Sequence, residues 1–348
     1  MINSTSITKV DHETSYYQKC YLDMDVINLI QITSLKEEHL EDAALLVSKR
    51  YKKLIKQEPL LPQKYSEVTN LIPYLQNILQ NSGNGVAAFS GNQLVGFLTA
   101  WLMENFRGSR SIYSPEWANA VDLVDNKYVY EMMYGQLAES WVADNYIAHY
   151  ISLFPNDLNS LKALNWLGFG MISVDAICGL KSISDHQQDL VIQHAKLEDL
   201  EEIIYLQEEL QAYMRESPIF LPSKERDRKF YQEWLESPDK VIWLAKLNNE
   251  PVAFIRMGPA DDDVCTIIND KGTTSIYAAF ALEKVRREGI TTALLDHGLI
   301  SARNSGYERC AVSFEPMNLS GTGFWLKHFN PVCYSFVRYI DVRLSQIQ

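Results

Sequence analysis

Cysteine is scarce in this chain of 348 residues. The five present, Cys20, Cys178, Cys265, Cys310 and Cys333, are odd in number, widely scattered and form no C-x-x-C pair. That spacing excludes a disulfide framework and predicts reduced, buried thiols in a cytoplasmic protein. Positive charge is also in deficit: 32 Lys and Arg stand against 44 Asp and Glu, a net charge of −12. Such a balance argues against general affinity for nucleic acid or for anionic lipid. No apolar run approaches the length of about 20 residues that spans a bilayer. The opening Met1-Ile2-Asn3-Ser4-Thr5 lacks the basic region and apolar core of a secretory signal. The seven histidines show no ligand spacing, so no metal is expected. Gly321-Thr322-Gly323 has neither the lysine of a P-loop nor the third glycine of a dinucleotide fingerprint, and there is no G-x-S-x-G. What remains is an ordinary globular composition, 47% hydrophobic, enough for a sizeable core in two domains without metal or disulfide support.

Against these absences one stretch stands out, Val285-Arg286-Arg287-Glu288-Gly289-Ile290-Thr291-Thr292-Ala293-Leu294-Leu295. It reads as a basic, glycine-containing turn running into an amphipathic helix, whose Leu295, Leu299 and Ala302 recur at helical spacing until Gly306 offers a stop. A β-like run, Thr274–Ala281, precedes it. Strand, tight turn and helix N-terminus together form an anion site. The first-turn N–H groups lack intrahelical partners, and the helix dipole adds partial positive charge. Gly289 lets the backbone approach closely, and Arg286 and Arg287 supply full charges suited to phosphate oxygens.

Downstream, Glu308–Phe314 reads as a buried strand. It is followed by Asn318-Leu319-Ser320-Gly321-Thr322-Gly323-Phe324-Trp325-Leu326-Lys327-His328-Phe329 and by an alternating run from Val332 to Ile340 that predicts a terminal strand. The two motif regions, in this order, resemble the GCN5-related N-acetyltransferases (GNAT). In that family R/Q-x-x-G-x-G/A holds the pyrophosphate of acetyl-CoA, and N-x-x-A-x-x-L/F-Y-x-x-x-G-F follows. Arg286 and Gly289 match the first motif, with Thr291 standing where Gly or Ala is usual. Asn318, Phe324 and Phe329 match the second, with Trp325 in place of Tyr and His328 in place of Gly.

The plan occurs twice. Asn28–Ile32 and then Ser34–Leu46, where Ser34 and Glu37 have the spacing of a capping box, parallel Asp189–His194 and Leu197–Ile204. Each half continues with a hairpin on a polar turn: Val86–Phe89 and Leu94–Phe97 around Ser90–Gln93, then Val241–Ala245 and Pro251–Ile255 around Asn248–Glu250. Ile32 and Ile192 at one end, and Gly168 and His328 at the other, share an offset of 160 positions. The expected organisation is an extension over residues 1–27, a GNAT-like domain over 28–180, a linker over 181–188 and a GNAT domain over 189–348. The resemblance implies an α/β fold (an α+β mixed sheet) of two tandem domains, each a twisted, mostly antiparallel sheet flanked by helices. Carrying the offset back from Arg286, Gly289 and Thr291 lands on Asn126, Val129 and Glu131, and nothing from Val121 to Ser140 supplies the pyrophosphate motif. The first copy therefore reads as degenerate, packing on the second and walling part of its acceptor cleft.

The resemblance also implies a chemistry: an acyl group passes from acetyl-CoA to a small-molecule or peptide amine by direct attack. It assigns the pyrophosphate to Arg286, Arg287, Glu288, Gly289, Ile290, Thr291 and Thr292, the pantetheine arm to the main chain at Ala279 and Ala281, and a contact near the leaving sulfur to Asn318. An aliphatic amine of pKa about 10 must lose a proton before attack. Glu315, alternating with Ser313 towards the cleft, is the candidate base. Trp325 cannot donate the proton that the family's tyrosine gives, which leaves Tyr334 or Tyr277 as candidate acids. The competing reading is a non-catalytic acyl-CoA-binding or protein-interaction module on the same fold.

Overall fold

The computed structural model describes residues 30–82, 84–122, 127–183, 190–222, 227–341 and 343–344. The N-terminal extension, Asn28, Leu29, Cys20, Asn126 and residues 184–188 of the expected linker lie outside them. The first half runs β1 (Ile30–Ser34), α1 (Leu40–Gln57), α2 (Val68–Ser82), β2 (Gly85–Ser90), β3 (Gln93–Thr99), β4 (Trp101–Phe106), β5 (Ser109–Ser114), β6 (Asn119–Val121), α3 (Lys127–Ala143), β7 (Ala148–Leu153), α4 (Leu158–Trp166) and β8 (Gly170–Gly179). The second runs β9 (Val191–His194), α5 (Leu200–Arg215), α6 (Arg228–Glu236), β10 (Val241–Leu247), β11 (Glu250–Pro259), β12 (Thr273–Ala281), α7 (Ile290–Asn304), β13 (Arg309–Phe314), α8 (Leu319–His328) and β14 (Asn330–Tyr339). Element for element the halves correspond. In the first half the third and fourth strands are each broken in two, at Ala100 and across Pro115–Ala118. Pro115 has no N–H to give a ladder.

The correspondence reaches local detail. Each half enters its first helix through a 3-10 turn, Glu37–His39 and Leu197–Asp199. The Lys36 N–H donates to His39 Nδ1 at 3.1 Å, and the Lys196 N–H donates to Asp199 Oδ2 at 2.9 Å. This corrects the expected capping box. Ser34 is the last residue of β1, paired with Val86, and the turn formed by Lys36 and His39 takes over the helix entry. In α1 the buried residues Leu40, Ala43, Ala44, Val47, Tyr51 and Leu54 recur every three or four positions, the stripe that docks a helix on a sheet. The turn of the β10–β11 hairpin places both Asn248 and Asn249 at positive φ, 49° and 67°. That conformation matches the right-handed twist of the flanking strands, and asparagine tolerates it.

The strands form a four-stranded sheet, β1-β2-β3-β6, and a ten-stranded sheet, β4-β5-β7-β14-β8-β13-β12-β11-β10-β9. The larger sheet carries a feature that no local pattern announces. β8, the last strand of the first half, pairs with β13 of the second, and β14, the last strand of the second, pairs with β7 of the first. Each half lends its final strand to the other, and β8 and β14 then pair with one another at the centre. Most pairs are antiparallel, while β5–β7 and β12–β13 are parallel. One apolar cluster follows the exchange: Tyr51, Leu61, Phe97 and Trp117 share it with Cys265, Ile268, Ala311 and Cys333.

Candidate active site

The two parallel pairs are where the sheet opens. β12 and β13 are in register from Thr273–Arg309 to Ile276–Val312 and no further. Beyond Ile276, β12 stays paired with β11, Ala279 facing Ile255 and Ala281 facing Ala253, while its other edge leaves β13. Backbone groups on that edge, apart from the Ala281 carbonyl that Arg286 occupies, are thus open to an added extended segment. The chain then turns at Glu283–Val285 and enters α7 at Gly289. Gly289 has φ 82°, the left-handed region that costs an L side chain strain, and no side chain caps the helix. The first-turn amides of Ile290, Thr291 and Thr292 therefore meet the mouth of the splay with the positive end of the helix dipole.

A cleft of about 880 Å³ occupies this splay. It is lined by Ala279, Ala281, Arg286, Arg287, Gly289, Ile290, Thr291, Thr292 and Asn318, so nine of the ten residues expected around the donor come together. The tenth, Glu288, is exposed and does not line it. Arg286 is braced. Its Nε donates to the Ala281 carbonyl at 3.1 Å, and its guanidinium lies 4.5 Å from the Tyr213 ring centroid and 5.5 Å from that of Phe280. Asn318 is the N-cap of α8. Its Oδ1 accepts from the Gly321 N–H at 3.0 Å and from the Tyr213 hydroxyl at 2.8 Å. Gly321 leaves room for that cap, since a Cβ there would meet Asn318 Nδ2 at 2.7 Å and the amide would have to shift.

Tyr213 is a polar lining residue that sequence reasoning missed. It sits three turns into α5, in no motif. The only signal for it is helical phase: Leu206, Leu210 and Tyr213 share the stripe that packs on the core, and the last of them reaches past the core into the cleft.

Neither Glu315 nor Tyr334 lines this cleft. Glu315 follows directly on β13, half-buried. Burial pushes its carboxyl above the usual range, and Arg107 pulls it partly back. Arg107 belongs to the tip of the β4–β5 hairpin, so the first half presents a charge to the acceptor side of the second. Tyr334 is paired with Leu153 and Val174, and its ring packs against apolar clusters of both halves. The register places Tyr334 on the sheet face of Val174 and Phe314, opposite to the face of Ser313 and Asp175. Tyr277 donates its hydroxyl to the Pro259 carbonyl at 2.5 Å and packs on Trp234. Trp325 is buried at the cleft wall against Phe324 and Phe329.

The equivalent place in the first half is filled from within. β6, Asn119–Val121, stands 160 positions before Ala279–Ala281 and likewise departs from its parallel neighbour. Here Arg50 of α1 occupies the gap. Its Nη1 donates to the Asn119 carbonyl at 2.8 Å, and its Nη2 pairs with Asp157, the N-cap of α4. Asn119 Nδ2 bridges to Ser114, Pro115 and Ser152, and Asn119 is fully buried. At the head of α3, Val129 is buried and Glu131 pairs with Lys127 at 2.8 Å. No glycine opens that helix.

Comparison with known proteins agrees with this geometry. Residues 192–329 match the model of the acetyltransferase (GNAT) family. A GCN5-related N-acetyltransferase from Sphaerobacter thermophilus is 12% identical, with a TM-score of 0.56 over 90% of this chain and 96% of that one. The glucosamine N-acetyltransferase region of a fungal multi-domain GH3 β-N-acetylglucosaminidase is 14% identical, with a TM-score of 0.50 over 88% of this chain and 38% of that one. At these identities the likeness is one of fold. No curated protein matches the sequence. Residues 192–329 thus carry a domain that matches the GNAT acetyltransferase family.

Proposed function

We propose that the protein transfers an acetyl group from acetyl-CoA to an amine, with the second half holding the donor. The observation that carries this reading is the cleft between β12 and β13, closed at one end by the uncapped N-terminus of α7 and its two arginines. Bound there, acetyl-CoA supplies an activated thioester. The residues do the rest. Amides of Ile290–Thr292 and the Arg286 and Arg287 side chains hold the pyrophosphate, and the free edge at Ala279 pairs with the pantetheine arm. A β12 N–H polarises the thioester carbonyl, as an oxyanion-hole donor does.

Glu315 takes the proton from the incoming ammonium, directly or through water. The neutral amine then attacks, the C–S bond breaks, and the products are an amide and the free thiol. Tyr213 replaces Tyr334 as our candidate for protonating the thiolate, because its hydroxyl lies at the cleft wall beside Asn318. With a thiol pKa of about 8.5, the leaving group needs little help near neutral pH.

The assay is thiol release from acetyl-CoA across a panel of polyamines, amino acids, amino sugars and peptides. Amine-dependent release that Tyr213→Phe slows supports the whole reading. Tight CoA binding with no amine-dependent release at any pH transfers the case to the acyl-CoA-binding module, for which the Trp325 replacement speaks.

A further inference from the structure

The strand exchange gathers four acidic groups at one buried point between the halves. Across the central strands Asp175 of β8 stands opposite Cys333 of β14 on one side and Ser313 of β13 on the other. The segment leading into the 3-10 turn Thr266–Ile268 brings Cys265 over this place. An oxygen of Asp175 and the sulfurs of Cys265 and Cys333 all lie within 4.8 Å of one another. Glu116, from the break between β5 and β6, lies outside this triad and adds a further buried carboxyl whose charge acts on all three.

The carboxyls are anchored on one side and open on the other. Glu116 Oε1 accepts the Ile267 N–H at 3.0 Å, whereas Glu116 Oε2 has no hydrogen-bond partner. Asp175 faces Ser313, whose hydroxyl bonds to Ser173 at 3.0 Å, and its Oδ1 likewise has no partner. Glu116 is fully buried and Asp175 is only 5% exposed. Buried oxygens are seldom left unmatched, since each forfeits its hydration for nothing. Burial pushes Glu116 and Asp175 up to about 7, and Cys333 up to about 12.

We propose that Cys265, Cys333 and Asp175, with Glu116 as the fourth donor, bind a zinc-class divalent cation that ties the two halves together. Thiolates select this class over magnesium or calcium. A tetrahedral site with metal–sulfur bonds of about 2.3 Å and metal–oxygen bonds of about 2.1 Å sets its donors roughly 3.5 Å apart. The Asp175, Cys265 and Cys333 donor atoms need only a small contraction to reach that spacing, with Glu116 moving in to complete the four. On binding, the two thiols and whichever of the two carboxyls are protonated release their protons to solvent, and the metal takes four anionic donors. The Ile267 amide orients the Glu116 carboxylate from outside, as second-layer partners of metal sites do. The ligands are far apart in sequence, which is why spacing gives no hint of them.

The test uses the full chain, purified without a metal-affinity step from zinc-supplemented medium. Elemental analysis is expected to find near-stoichiometric zinc. The metal-stripped protein should gain thermal stability when zinc is restored, and Cys333→Ser and Cys265→Ser should each lose the metal. Cobalt(II) added to stripped wild type should give a thiolate charge-transfer band in the near ultraviolet, a readout that does not depend on a variant folding. Substoichiometric zinc together with no cobalt band would overturn the proposal. So would ready closure of a Cys265–Cys333 disulfide by diamide in the protein as purified, because metal-bound thiolates would resist it.

Discussion

Gly289 is the position at which the donor site is most economically destroyed. Its φ of 82° is one that asparagine and aspartate adopt more readily than other side chains, so Gly289→Asn and Gly289→Asp impose a similar backbone cost. They differ by one negative charge. A carboxylate there stands about 4–6 Å from a bound pyrophosphate, a repulsion of about 3–4 kcal/mol at an effective dielectric of 20. Gly289 is exposed, so solvent and salt reduce this to about 2 kcal/mol, or roughly 30-fold in affinity. Titration calorimetry with CoA should therefore show Gly289→Asn modestly weakened and Gly289→Asp weaker by a further factor of about 30, shrinking as salt is raised. Both variants should melt near the wild type, because Gly289 itself is exposed. Equal affinity of the Asp and Asn variants would mean that no anion rests against this helix end.

Three further outcomes follow from the same geometry. Because Arg50 and Asp157 fill the slot of the first half, calorimetry should find one CoA per chain, and a second equivalent site would contradict that reading. Arg50→Ala leaves Asp157 buried and uncompensated, a loss of about 3–5 kcal/mol in chemical denaturation; a loss under about 1 kcal/mol would show that the pair is not what closes the gap. Glu315→Gln should lower turnover by about 10²-fold with little change in CoA affinity. Since burial raises the Glu315 carboxyl, the acidic limb of kcat/KM should lie above the usual carboxylate pKa of about 4.3, with rate lost as pH falls through it. Arg107→Ala removes the charge that holds that carboxyl down, so the limb should move to higher pH, and a limb that stays in place would remove Glu315 from the reaction.

Much of this was legible along the chain. The 160-residue repeat shows because strand periodicity, helix entry and hairpin turns are local signals, and they recur in structure down to the Lys36–His39 and Lys196–Asp199 turns. The donor cleft was legible for the same reason: Gly289, Arg286 and Asn318 act through backbone geometry set by their immediate neighbours. The strand exchange was not, because alternation in β8 or β14 specifies which face is apolar and says nothing about which edge it joins. Arg50 was invisible as well. On a helix surface an arginine reads as solvated, and only the break at Pro115–Ala118 makes room for it inside. Glu315 and Tyr334 came from strand alternation and from motif replacement. Register puts Tyr334 on the other sheet face, and that difference moves the candidate acid to Tyr213.

The exchange also explains why a half without a donor slot is retained. β8 supplies the strand next to β13, so the second half's sheet is completed by residues 170–179 of the first. β14 in turn has its partners in β7 and β8, both from the first half. An unpartnered β13 would expose a row of backbone N–H and C=O groups at the edge nearest the reaction. The same half presents Arg107 to Glu315 through the β4–β5 hairpin and contributes Glu116 and Asp175 beneath Ser313. Arg50 closes the slot of the first half, yet these pairings still tie that half to the second.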